Sequence, residues 1–231
     1  MNQNNLNVLV VQFTNELKQT NIPYFRGAVI AALGEQADVL FHNHTENGFR
    51  YAYPLIQYKR VKGKAAIVCI KDGTEQIGRF FADADMDLRI GNTQMKMEIE
   101  TIRPHKITVQ VWDTMFKYRI RRWLPLNSQN YKEYMLLEGL KEKIAFLERI
   151  LTGNLLSFTK GVGVFLDKEV LCELTSVSEP FYIINKGVKL MAFDVEFKAN
   201  LSIPDYVGIG KNASIGCGVI TRVIDKDKIE K

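Results

Sequence analysis

The chain predicts an α+β fold of two modules, the first of them ferredoxin-like. Three observations carry this. Apolar segments in the first half follow the order β-α-β-β-α-β, the ferredoxin-like arrangement. Strands and one long amphipathic helix recur in the second half, and the similar element order suggests two related modules side by side. The length of 231 residues suits one large domain or two of ordinary size.

The elements follow in order. Asn7 to Phe13 (NVLVVQF), with five apolar residues, reads as a buried strand. Pro23 opens a helix over Tyr24 to Leu33 and Gly34 closes it, a proline start and a glycine stop. Asp38 to His42 and Tyr51 to Tyr58 are strands around a turn at Glu46-Asn47-Gly48, and Ala65 to Ile70 is a further strand. Asp72 to Phe81 is a short amphipathic helix. Gln94 to Ile102 sets Met95, Met97, Ile99 and Thr101 on one face of a strand.

Arg103-Pro104 marks the boundary, giving an N-terminal domain over 1–104 and a C-terminal domain over 105–231. Lys106 to Arg122 alternates as a strand or hairpin does. Ser128 to Thr152 is a helix with Leu137, Leu140, Ile144, Leu147 and Leu151 at three- and four-residue spacing. Gly153 ends it, and Asn154 starts a shorter segment through Phe158. Val170 to Val177 and Val188 to Ile203 are strands, and Ile215 to Ile224 closes the sheet.

Composition narrows the class. The chain is 46% hydrophobic and 25% charged, as globular proteins are. Its net charge of +5 is compatible with a polyanionic partner without requiring one. Cys69, Cys172 and Cys217 are widely spaced, odd in number and set in apolar stretches, so buried thiols in a cytoplasmic protein are expected. No CxxC pair points to zinc, and no apolar run has the roughly 18 residues of a membrane span. The start, Met1 to Asn5, has neither the basic nor the apolar region of a signal peptide.

The segment with most chemical information is Gly208-Ile209-Gly210-Lys211-Asn212-Ala213-Ser214-Ile215-Gly216-Cys217-Gly218. Two Gly-x-Gly units flank a Lys and a Ser. Exposed amides in such a loop hold phosphate. Gly208, Gly210 and Ala213 satisfy the dinucleotide fingerprint, but only 21 residues follow Gly210, too few for the βαβ unit it must open. No Gly-Lys-Ser/Thr ends the loop, which excludes a Walker-type P-loop. A plain glycine-rich turn is the alternative.

His42 and His44 share one face if their segment is a strand. They form either an acid–base pair or a hydrogen-bonded structural pair at a strand end. A metal site ranks last, because zinc needs about three or four protein ligands and a third must come from far away. Asp83, Asp85 and Asp87 alternate, as in an exposed loop. No metal and no cofactor are expected.

Cations mix with aromatics in Tyr58 to Lys64 and in Lys117 to Trp123. In a strand, Arg119 and Arg121 share one face, while Tyr118, Ile120 and Arg122 share the other. Such a surface suits phosphates and unpaired bases, or is simply solvated. Tyr24 and Arg26 lie at the start of the first helix, where donors favour anions, although Tyr24 also fits a core position. Lys160 lies in a second glycine-containing turn, as a phosphate contact or a loop lysine.

Gly208 to Gly218 resembles the Gly-hydrophobic-Gly, five residues, Gly-x-Gly signature of the repeat-associated RNA-binding superfamily of CRISPR systems. Leu40 to His44 and Tyr53 to Lys59 resemble the N-terminal half of its CRISPR repeat-RNA endoribonucleases, and Gly153 to Phe158 and Pro204 to Gly208 fit the same family. The resemblance implies tandem ferredoxin-like (RRM-like) domains. It implies metal-independent cleavage of CRISPR repeat RNA, by 2′-hydroxyl attack that leaves a 2′,3′-cyclic phosphate and a 5′-hydroxyl.

It also places acid–base work on His42 and His44, with Tyr24 and Lys59 as further candidates for positioning and charge stabilisation. Gly208, Gly210, Lys211, Ser214, Gly216 and Gly218 would then hold RNA backbone, with Arg119, Arg121 and Lys160 as added contacts. Members often carry an aromatic where Cys217 stands. Other superfamily members bind RNA without cutting it, so a non-cleaving subunit of a CRISPR effector complex is the second reading. Repeat RNA is the expected partner, with other effector subunits or a second copy of the chain beside it, and no membrane.

Overall fold

The computed structural model describes residues 4–34, 44–45, 48–49, 53–83 and 85–224. They fall into two compact units. Unit 1 comprises Met1–Thr108 with Gly161–Gly163 and Ser214–Gly216; unit 2 comprises Val109–Lys160, Val164–Ala213 and Cys217–Lys231.

Unit 1 begins with strand β1 (Asn5–Glu16) and helix α1 (Ile22–Leu33). A two-residue hairpin, β2 (His44–Thr45) and β3 (Gly48–Phe49), precedes β4 (Ile56–Val61) and β5 (Lys64–Ile70). Helix α2 (Gly73–Asp83), a hairpin of β6 (Asp87–Ile90) and β7 (Thr93–Lys96), and β8 (Ile99–Thr108) complete it. The four main strands pair antiparallel in the order β4-β5-β1-β8. Counted along the chain that is 2-3-1-4, and the two helices fall where the β-α-β-β-α-β frame requires them.

Local chemistry sets these elements. Pro23 lies in the first turn of α1, where a missing N–H costs nothing. Gly34 ends the helix at φ 55°, ψ −132°, a conformation open to glycine. Ile22, Phe25, Val29 and Leu33 recur at three- and four-residue spacing and turn into the core. There the Phe25 ring meets Phe13 and Tyr58 edge-on, at 5.8 and 5.7 Å between centroids.

The structure departs from the sequence reading at several points. The Gln94–Ile102 strand is two elements, β7 and β8, separated at Met97, which is buried and donates its amide to the Met86 carbonyl. β8 continues through Arg103-Pro104. As the edge strand of its sheet, it tolerates a proline. Lys106 to Arg122 is neither one strand nor a hairpin, because β8 and the next strand belong to different sheets. Of the strand expected over Tyr51 to Tyr58, the first two residues lie outside the described ones and β4 starts at Ile56: Gln57 donates to the Pro54 carbonyl and the Tyr53 hydroxyl, both at 2.9 Å, which folds the chain just before it. The strand expected over Asp38 to His42 lies outside the described residues.

Unit 2 runs β9 (Val111–Trp123), α3 (Ser128–Leu136), α4 (Leu140–Gly161), β10 (Cys172–Val177), β11 (Phe181–Asn185), β12 (Val188–Leu201) and β13 (Val219–Arg222). Its sheet order is β10-β12-β9-β13, with β11 paired to the first half of β12. The main strands therefore repeat the 2-3-1-4 order, and the second module is also ferredoxin-like. Tyr118, Ile120, Phe193, Val195 and Phe197 of its sheet are buried, as are Leu147, Leu151, Leu155 and Phe158 of α4.

Here too the expectation changes. The helix breaks at Leu137-Glu138-Gly139, so the buried stripe begins at Leu147, and Leu140 is 74% exposed. Asn127 caps α3 by accepting the Asn130 amide at 2.8 Å. Gly153 does not end α4 but lies inside it. β11 is an additional strand, and no helix joins β12 to β13. Among the described residues no helix is long and apolar enough to cross a membrane.

Candidate nucleic-acid interface

The glycine segment joins β12 to β13. In unit 2 its two Gly-x-Gly units lie against each other. Gly208 bridges Val219, and the Ile209 amide donates to the Gly218 carbonyl at 3.0 Å. Gly218 donates to the Arg122 carbonyl at 3.0 Å, Lys211 to Leu124 at 3.2 Å and Cys217 to Asn212 at 3.4 Å. Gly218 has φ +62°, and a Cβ there would overlap the Ile209 carbonyl oxygen. A Cβ on Gly210 would lie 3.0 Å from the Asn154 side-chain oxygen, which accepts the Trp123 indole N–H at 3.0 Å. These glycines therefore serve backbone-on-backbone packing, and four of the loop's amides are engaged within the protein.

Lys211 is exposed. Cys217 is 4% exposed and packs with Leu124 and Ala192. Cys217 is a core position, so its thiol leaves no gap in an exposed stacking surface.

The tip of the loop belongs to unit 1. The Ser214 carbonyl accepts the Tyr58 amide at 2.8 Å, and Ile215 runs parallel to Tyr58 as a β-bridge, so the open edge of β4 is covered there. Gln19 Nε2 donates to the Gly216 carbonyl at 3.0 Å. Gly216 has φ +80°, and a Cβ would lie 2.5 Å from Ile22 Cδ1. The tip thus rests on the first residue of α1.

Tyr24, two residues further on, is 58% exposed and is not a core residue; its ring lies over the Gly91 turn of the β6–β7 hairpin. Arg26 is half-buried; burial lowers its pKa, opposed by Tyr58. Burial pushes the Tyr58 phenol well above its usual range, with Arg26 opposing and Cys69 adding to the rise. Among the described residues the Tyr58 hydroxyl has no hydrogen-bond partner.

The remaining expected site residues scatter. Lys59 is fully buried on β4, on the strand face opposite Tyr58. His42 lies outside the described residues. The His44 backbone pairs with Phe49 in the β2–β3 hairpin. Lys160 is exposed in the last turn of α4 rather than in a glycine turn.

Arg119 and Arg121 do share a face, but each is ion-paired across the sheet. Arg119 Nε donates to Glu196 at 2.9 Å, with Nη2 on the same oxygen, and Arg121 Nη1 meets Asp194 at 2.6 Å. Arg122 departs from the expected face: at φ +55° the strand twists, and its amide donates to Asp194 at 2.8 Å. Asp85 accepts the Asp87 amide at 3.0 Å, a local turn. Gln19, Asp194 and Glu196 are the residues that sequence reasoning missed. Only strand register reveals the two acids, and nothing local marks Gln19.

Family comparison decides the class. Residues 4–108 match the Cas6b N-terminal domain and residues 110–223 match the Cas6b C-terminal domain. The chain belongs to the Cas6b family. This is the CRISPR repeat-RNA endoribonuclease family to which the glycine signature points. A crystal structure of Cas6b, 26% identical, superposes with a TM-score of 0.85 over 95% of this chain and 100% of that one. A CRISPR RNA processing endoribonuclease Cas6b, 23% identical, gives 0.72 over the same shares and supports the fold. An uncharacterised Methanocaldococcus jannaschii protein, MJ0978, is 40% identical over 116 residues, covering 49% of this chain and 76% of that protein.

Proposed function

We propose that this Cas6b member cleaves CRISPR repeat RNA without a metal ion. A base removes the 2′-hydroxyl proton, O2′ bonds to the adjacent phosphorus, the P–O5′ bond breaks, and an acid protonates O5′. The products are a 2′,3′-cyclic phosphate and a 5′-hydroxyl. His42 and His44 divide the acid and base roles. Tyr24 positions RNA at the start of α1, and Lys59 offsets phosphorane charge. The glycine tip holds RNA backbone, with Lys211, Arg119, Arg121 and Lys160 as outer contacts.

One observation supports this reading above the others. The glycine tip is seated on β4 and the first turn of α1, beside exposed Tyr24 and on the strand that follows the histidine segment. The burial of Lys59 and the pairing of Arg119 and Arg121 favour the second reading, a subunit that binds RNA without cutting it. Other effector subunits or a second copy of the chain are further partners under either reading.

The test is cleavage of repeat RNA in EDTA by wild type, His42→Ala, His44→Ala and the double variant, with a 2′-deoxy substrate at the cut site. Cleavage in EDTA that falls about 100-fold or more with a lost histidine, and vanishes with the 2′-deoxy substrate, is expected. Tight binding with no cut product would select the second reading.

A further inference from the structure

We infer that Gln19 is a positioning residue for RNA cleavage. The inference rests on the cleavage reading above and extends it to a residue outside the glycine loop. Gln19 lies in the 3-10 turn (Gln19–Asn21) that leads into α1. Its side-chain amide crosses 197 positions of sequence to donate to the Gly216 carbonyl. The Ser214 carbonyl accepts the Tyr58 amide, so the tip is held at two points, by a strand edge and by one side chain. Tyr58 supplies a backbone donor that any residue except proline would offer. Gln19 supplies the only one of these two contacts that depends on side-chain identity.

Gly216 has φ +80°, which strains any side chain, and a Cβ there would press on Ile22 Cδ1 and Gln19 Nε2, 2.5 and 2.9 Å away. The tip must therefore lie flat on the start of α1, with exposed Tyr24 one half-turn away. Releasing the Gly216 carbonyl lets the tip lift while β4 and α1 keep their own packing. RNA backbone held by a lifted tip is displaced from the groups beside it, and displacements on the order of 1 Å cost up to about 100-fold in rate. Affinity, spread over many phosphate contacts, changes little.

The experiment uses the full chain and cognate repeat RNA. Gln19→Glu keeps the shape but removes the donor, and Gln19→Lys restores a donor. Single-turnover cleavage at saturating RNA, RNA Kd, melting temperature and exchange of the Tyr58 amide are measured for each. Gln19→Glu should slow cleavage by roughly 10-fold or more, leave Kd within about threefold, and speed Tyr58 exchange; Gln19→Lys should recover most of the rate.

Unchanged cleavage despite faster Tyr58 exchange would overturn the positioning role. Unchanged Tyr58 exchange would overturn the strap itself. A parallel loss of Kd, rate and melting temperature would make Gln19 a plain folding residue and also overturn it. A wild type that binds repeat RNA and never cuts it sinks the cleavage reading first, before any variant is made.

Discussion

The two units share one strand frame and differ in how the third main strand returns to the fourth. In unit 1, β5 leads to helix α2 and then the β6–β7 hairpin, and Ile77 and Phe80 of α2 enter the core. In unit 2, β12 leads into the glycine loop and straight to β13. A helix closes its own hydrogen bonds and needs only an apolar stripe. A loop must find a partner for each buried amide and carbonyl. Unit 2 does so by laying one end of the loop against the other, and the loop's tip, which belongs to unit 1, finds donors for its carbonyls at Tyr58 and Gln19 of that unit. The regular connection tolerates substitution, whereas the irregular one depends on single glycines and on donors far away in sequence.

The largest test of that contrast is Gly218→Ala. The added Cβ would overlap the Ile209 carbonyl oxygen at a positive φ. Backbone must move on both sides of the loop, and a loss of roughly 3 kcal/mol or more is expected. Thermal unfolding should move down by about 6–12 °C. A shift below about 2 °C would show that the Gly-x-Gly crossing does not hold unit 2 together.

A second pair sets one buried tyrosine of each unit against the other. Tyr118 is hydrogen-bonded on both sides of its hydroxyl, donating to the Leu201 carbonyl and accepting the Ile203 amide, each at 3.0 Å. Its burial raises the phenol pKa to about 12. Tyr118→Phe leaves a buried amide and carbonyl without that partner and should cost about 1–3 kcal/mol. The Tyr58 hydroxyl has no partner among the described residues to lose. Tyr58→Phe should leave denaturant stability unchanged or raise it by about 1 kcal/mol. Equal losses at the two positions would contradict this.

The difference between the units also divides what the sequence made legible. The central strands of both units follow from apolar patterning, and α1 from Pro23 and Gly34, because burial of a periodic face is a local property of the chain. The α3–α4 break was hidden because Leu137 and Leu140 continue the spacing of a stripe they do not join; Leu140 faces solvent. Gly153 was misplaced for the opposite reason, since glycine signals a helix end but is tolerated within one that is anchored elsewhere.

In the candidate site, the glycine loop was visible as a motif while its purpose was not, because the contacts of Gly216 and Gly218 depend on distant residues. The acidic partners of Arg119 and Arg121 were hidden likewise, in a register fixed by the fold. Gly153 offers a smaller, opposite test to Gly218. Nothing lies within 4 Å of a Cβ built there. Gly153→Ala should stabilise α4 by about 0.5–1 kcal/mol, read as a higher denaturant midpoint with an unchanged slope. A loss of stability would mean that α4 needs its glycine for something other than the backbone.

The smallest expected effect lies on the exposed sheet face of unit 2. Arg119–Glu196 and Arg121–Asp194 are partly exposed pairs, so each should contribute no more than about 1 kcal/mol, and less as salt rises. Under the proposed function their weight would fall instead on RNA. A phosphate must compete with a carboxylate already in place, so Glu196→Gln should strengthen RNA binding if Arg119 contacts backbone. Arg119→Ala should then weaken binding and lower the salt slope by roughly one unit. If both variants leave the salt slope where it was, the arginines serve the sheet alone, and RNA contacts in unit 2 must be sought at the glycine loop.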